Sequence, residues 1–173
     1  MKEFIAGEGA GAMSDWEEQL KALLPLFGHR NWIVVADSAY PAQSKPGIET
    51  IVAGGDPIEV VRRVGDAIAA CAHVRANIYA DKEIEFVAEY DAPGIEEYRR
   101  QLAGSLHGAR LSYIAHEEII GKLDGAAQVF RILIIKTAMT IPYTSVFFEL
   151  DCGYWSAEAE ERLRRTMKTA EVS

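Results

Sequence analysis

The run Trp32-Ile33-Val34-Val35-Ala36 constrains the fold more than any other stretch, because five apolar residues in succession leave no polar face. A strand of this kind must be covered on both sides, as in a parallel sheet sandwiched between helices. Helical signals alternate with further strand signals along the chain. Asp56-Pro57-Ile58-Glu59 supplies an N-cap, a first-turn proline and an N3 carboxylate, and Val60, Val61, Val64 and Ile68 follow at helical spacing. Upstream, Ser14 with Glu17 makes a capping box for a helix carrying Trp16, Leu20, Leu23, Leu24 and Phe27, with Gly28 in the C′ position.

Further strands are expected at 77–80, 85–89, 110–115, 129–135 and 145–150, and helices at 95–102 and 117–123. This order predicts an α/β chain, a three-layer α/β/α sandwich around a mostly parallel central sheet. The last two strands are expected to form a hairpin or an edge pair. Residues 1–13, rich in Gly and Ala, read as a flexible extension, 14–153 as the domain, and 154–173 as a helical tail. In that tail Glu158, Glu160 and Glu161 precede Arg162, Arg164, Arg165 and Lys168, as the helix dipole favours.

The chain has 173 residues, enough for one domain with a proper core. Its net charge of −8 argues against a nucleic-acid partner, which requires a basic face. The absence of a long apolar run argues against a membrane span, and the first residues lack the pattern of a secretion signal, so the cytoplasm is expected. Cys71 and Cys152 have no metal-ligand spacing and read as small buried apolar residues. No dinucleotide fingerprint or ligand cluster calls for a metal or an organic cofactor.

Polar groups that can carry chemistry gather at predicted strand ends. Asp37 follows the apolar run, His116 follows the strand at 110–115, and Tyr143-Thr144-Ser145 opens the last strand. In open α/β sheets ligands collect at such ends, so His116 and the Tyr143-Thr144-Ser145 opening suggest a polar pocket. His29 precedes the first strand, and eight extended residues span roughly 26 Å. His29 and Asp37 therefore meet only if the approach bends or if two subunits share the site. His73 and His107 have no matching partners and read as structural.

Four blocks taken in order resemble the ribose pyranase and fucose mutarotase family: Gly28-His29; Ile33-Val-Val-Ala-Asp37 with Pro41; Ile114-Ala-His116-Glu117-Glu118; and Ile135-Lys-Thr137 followed by Pro142-Tyr143 and the apolar strand 146–150. The resemblance implies a cofactor-independent isomerase that interconverts ring or anomeric forms of a free monosaccharide. It implies His29 as the proton donor, with Asp37, His116, Tyr143 and Ser145 binding the sugar. It also implies a ring-shaped homo-oligomer, typically a decamer, with sites between subunits. Ser145 stands where the family carries an asparagine. The chemistry suits the residues, since opening a hemiacetal needs one acid and one base that titrate near neutrality. Two other readings fit the same residues: a non-catalytic sugar-binding oligomer of this fold, and an unrelated α/β enzyme using His29 with Asp37 of one chain.

Overall fold

A computed structural model describes residues 15–106 and 108–170. The expected extension at 1–13, the capping residue Ser14 and His107 lie outside the described residues. The elements run α1 (Asp15–Leu23), β1 (Trp32–Ala36), β2 (Ile48–Val52), α2 (Pro57–Ala69), β3 (Val74–Asp81), α3 (Ile95–Ser105), β4 (Leu111–Ile114), α4 (His116–Ala126), β5 (Ile132–Lys136), β6 (Val146–Cys152) and α5 (Ala157–Ala170). The six strands form one sheet in the order β2-β5-β1-β6-β3-β4. Five strands share one direction, and β6 is antiparallel to both of its neighbours, β1 and β3.

All five residues of β1 are buried, for the reason the apolar run implies. Successive side chains point to opposite faces of a strand, and here each face has its own apolar layer. Ile33 and Val35 pack with Leu133, Ile135 and Phe148 against α1, α2 and α3. Trp32, Val34 and Ala36 pack with Ile132, Ile134 and Phe147 against Ile119 and Leu123 of α4. The result is the expected three-layer α/β/α sandwich. Each fully buried Ile, Val or Phe here contributes ~1.5–3 kcal/mol relative to exposure.

The helix start at Asp56 forms as its sequence dictates. Asp56 Oδ1 accepts from the amides of Ile58, at 2.7 Å, and Glu59, and Pro57 opens the helix. The buried face is Val60, Val61, Val64 and Ile68. The helix expected to run to Phe27 ends earlier, at Leu23, and a 3₁₀ turn covers Leu24–Leu26. Pro25 is the cause, since it has no amide for the α ladder. Gly28 is not the left-handed residue after it; that conformation belongs to Arg30, with φ 74°. The Gly28 amide instead donates to Asn31 Oδ1 at 2.8 Å.

Residues 85–89, expected as a strand, lie in a 3₁₀ turn at Lys82–Glu85 and the turns that follow. β3 already has β6 and β4 as partners, so no sheet edge is open there. The freed carbonyls of Ile84 and Val87 accept instead from the Arg99 guanidinium. β2 was not expected; it is an edge strand whose Ile51 alone is fully buried, so it lacks a strong pattern. β5 and β6 do not pair with each other: β6 runs between β1 and β3, in the middle of the sheet. Val146 and Phe148 join one apolar layer and Phe147 the other, and all three are wholly buried. Cys71 and Cys152 are free and half-buried rather than fully buried. None of the described helices is long and apolar enough to cross a membrane.

Candidate functional site

The strand directions put several loop openings at one edge of the sheet. β1, β3, β4 and β5 are parallel, so their carboxyl ends lie together, and antiparallel β6 brings its start to that same edge. A cavity of about 630 Å³ opens there, with Asp37, Tyr40, Asp81, His116, Tyr143 and Ser145 among its lining residues. Ile120, Met139, Ile141 and Pro142 make much of the rest of the wall apolar. The volume is that of a small-molecule site.

Asp37 sits in the first turn after β1. Its Oδ1 accepts from the Ala39 amide at 2.8 Å, and its Oδ2 accepts from the Ser145 hydroxyl at 3.3 Å. The Asp37 amide donates in turn to Ser145 Oγ at 3.4 Å. Ser145 is buried and spends its hydroxyl on Asp37, joining the turn after β1 to the start of β6. Thr137 Oγ1 donates to the Ala36 carbonyl, and the Ser38 amide donates to the Met139 carbonyl, which ties the β5 exit to the β1 exit.

His116 begins α4, and its amide donates to both carboxylate oxygens of Glu83, at 3.1 and 3.0 Å. Its ring Nδ1 lies 3.1 Å from Asp81 Oδ1. Tyr143 meets that ring edge-on, with centroids 5.6 Å apart and planes at 82°. Tyr143 holds a left-handed backbone, φ 59°, which is uncommon for a bulky residue and characteristic of tightly determined sites. Two side-chain bonds fix its loop: Thr144 Oγ1 donates to the Ile141 carbonyl at 2.7 Å, and the buried Tyr98 hydroxyl donates to the Thr144 carbonyl at 2.6 Å.

Burial raises the Asp81 carboxyl above the usual carboxylate range; the facing His116 pulls it back down, while Glu83 and Asp37 push it further up. Burial, with Asp81, Asp124 and Asp37 nearby, pushes the Tyr40 hydroxyl up to about 12. Asp81 and Tyr40 were not singled out from the sequence. Asp81 is the last residue of β3, and an acid closing a strand that runs to the carboxyl edge was the available signal.

The structure thus brings Asp37, His116, Tyr143 and Ser145 to one cavity and leaves His29 elsewhere. His29 precedes β1 and lies at the amino edge of the sheet, with β1 between it and Asp37. Its Nδ1 is 2.9 Å from Asp151 Oδ1, and Arg30 Nε donates to its Nε2 at 3.2 Å. A site using His29 and Asp37 of one chain is therefore ruled out by geometry. His73 faces the carbonyls of Leu24 and Phe27, a role in holding the turn after α1. Among the described residues, no group of three or more His, Cys, Asp or Glu side chains is arranged to hold a metal ion. The cavity offers a carboxylate, an imidazole and a phenol above an apolar wall, which suits a neutral polyhydroxyl ligand and the movement of a proton.

Residues 16–152 match the RbsD / FucU transport protein family. Bacillus subtilis RbsD, solved in complex with D-ribose, superimposes with a TM-score of 0.54 at 20% identity, over 84% of this chain and 98% of that one. The fucose mutarotase of Streptococcus pneumoniae, solved with L-fucose, gives 0.50 at 21% identity, over 78% of this chain and 91% of that one. No curated protein matches the sequence. The two superpositions bear on the fold, and the family match spans the whole sheet and the cavity at its edge: the chain belongs to the RbsD / FucU transport protein family.

Proposed function

We propose that this protein is a cofactor-independent mutarotase or pyranase acting on a free monosaccharide in the cytoplasm. The observation that carries the reading is the convergence of Asp37, His116 and Tyr143 on one cavity in a chain of this family. Asp37 accepts from sugar hydroxyls, Tyr143 and His116 contact the ring, and Ser145 acts through Asp37. His29 is the proton donor, and because β1 separates it from Asp37 of its own chain, it is supplied by a neighbouring copy. A ring-shaped homo-oligomer, a decamer by family resemblance, gives every cavity such a neighbour.

Opening the hemiacetal removes the proton from the anomeric hydroxyl, and its electron pair forms the carbonyl. The bond from the anomeric carbon to the ring oxygen breaks, and the ring oxygen takes a proton from His29. Rotation and reclosure in the reverse sense give the other anomer or ring size. Both proton transfers need groups that exchange protons near neutrality, which histidine provides.

The test is exchange NMR on ribose, fucose, galactose and glucose with the wild type and with His29→Ala. Acceleration of one sugar by the wild type, lost by about 10²-fold or more in the variant, is the expected result. A folded wild type that accelerates none of a broad panel rejects the reading. One observation favours a second reading, a non-catalytic sugar-binding oligomer: the Ser145 hydroxyl is committed to Asp37 rather than open to a ligand. Thermal stabilisation by a sugar without rate acceleration would favour it.

A further inference from the structure

Asp81 is the most deeply buried ionisable side chain of the cavity, with only 1% of its surface exposed. Its one hydrogen-bond partner among the described residues is His116 Nδ1 at 3.1 Å. A lone carboxylate buried at the floor of a cavity is a costly end to a strand; an apolar residue of the same size would close β3 without that cost. The imidazole it faces offsets part of that cost through the hydrogen bond at Nδ1.

His116 is held from three sides. Glu83 grips its amide, Tyr143 stands edge-on to its ring, and Asp81 takes Nδ1. A carboxylate accepts and cannot donate, so it selects the tautomer with the proton on Nδ1. The lone pair is then on Nε2, the nitrogen left for a ligand. About a third of the His116 side chain is exposed, and it lines the cavity.

From this geometry we propose that Asp81 is a positioning residue that makes His116 the second proton carrier of the site, and not merely a group that grips the sugar. His116 Nε2 takes the proton from the anomeric hydroxyl as the ring bond breaks, and the imidazolium formed is stabilised by the Asp81 carboxylate. On reclosure Nε2 returns that proton to the anomeric oxygen, so the enzyme is unchanged after each turnover. The role rests on the mutarotase reading above and adds to it a base within the same chain as the cavity, opposite the donor His29 of the neighbouring copy.

The test uses the full-length protein and the shape-matched variants Asp81→Asn and Asp81→Leu. Nitrogen-15 NMR of the histidine rings reports the His116 tautomer without any turnover, with His116→Gln assigning the signal. The wild type is expected to carry the proton on Nδ1, and Asp81→Leu, which offers no acceptor, to lose that preference. In exchange NMR on the sugar the wild type accelerates, Asp81→Asn is expected to lower kcat by at least about tenfold while KM changes by less than about twofold, since a shape-matched amide leaves the walls intact. An unchanged tautomer in Asp81→Leu overturns the positioning role. A raised KM with unchanged kcat overturns the proton-carrier role and leaves His116 as a sugar contact. A wild type that accelerates no sugar rejects the mutarotase reading and the proton transfer with it, and the tautomer result separates that failure from a failure of Asp81 to hold the ring.

Discussion

Asp151 accepts from Arg75 at 2.7 Å and faces His29 Nδ1 at 2.9 Å. The Arg75 hydrogen bond, with help from the Cys152 amide and His29, holds its carboxyl below the ordinary carboxylate range despite partial burial. A lowered folded value means that folding favours the ionised form. The stabilisation is present above the unfolded-state value, about 3.9 for an aspartate, and is lost as the pH falls through the lowered folded value. Asp151→Asn is therefore expected to unfold more readily than the wild type near neutrality, with the gap closing in acid. Denaturant unfolding of both proteins at about pH 7 and about pH 2.5 checks this. A gap of equal size at the two pH values would show that the charge is not the cause. Asp151 faces Nδ1 and Arg30 Nε donates to Nε2, so both ring nitrogens of His29 have partners within its own chain.

At the scale of elements, the loop between β5 and β6 is shaped largely from outside itself. The Tyr98 hydroxyl reaches from the buried face of α3 to the Thr144 carbonyl, one residue past the strained Tyr143. Tyr98→Phe keeps the ring and removes the donor, leaving a buried carbonyl unpaired at a cost of ~1–3 kcal/mol. The expected outcome is a loss of stability in that range, read by denaturant unfolding, together with faster amide exchange through 141–145. A variant as stable as the wild type would mean that water replaces the hydroxyl. The loop and helix were both legible in the sequence, but the bond between them joins residues 46 positions apart, which no local pattern reports.

For the whole molecule, α5 stands apart from the layers that make the sandwich. None of its residues is buried, and the family match ends at residue 152. Helical order there rests on pairs such as Glu160 with Arg164 and on the Trp155 indole donating to Glu160, which are exposed contacts worth little individually. Ending the chain after Gly153 is therefore expected to change unfolding free energy by less than about 0.5 kcal/mol, with the same fold by circular dichroism. A larger loss would mean that α5 packs against another copy, and the solution mass of the two forms would reveal it.

The sequence alone determined the two-sided burial of β1 and the start of α2, because each follows from residues within one or two turns of each other, and the three-layer class, from the alternation of strand and helix signals along the chain. It also carried the family resemblance, and four of the five residues named from it share one cavity. Only the tertiary structure decided where β6 lies: an apolar strand reads alike at an edge or between neighbours, and pairing is set by contacts far along the chain. That placement, antiparallel between β1 and β3, brings Tyr143 and Ser145 to the carboxyl edge beside Asp37 and His116. The same sheet sends His29 to the opposite edge and turns Asp81, an ordinary strand end in the sequence, into the buried partner of His116. Periodicity states which way a side chain faces, whereas the company it keeps depends on which strands lie next to it.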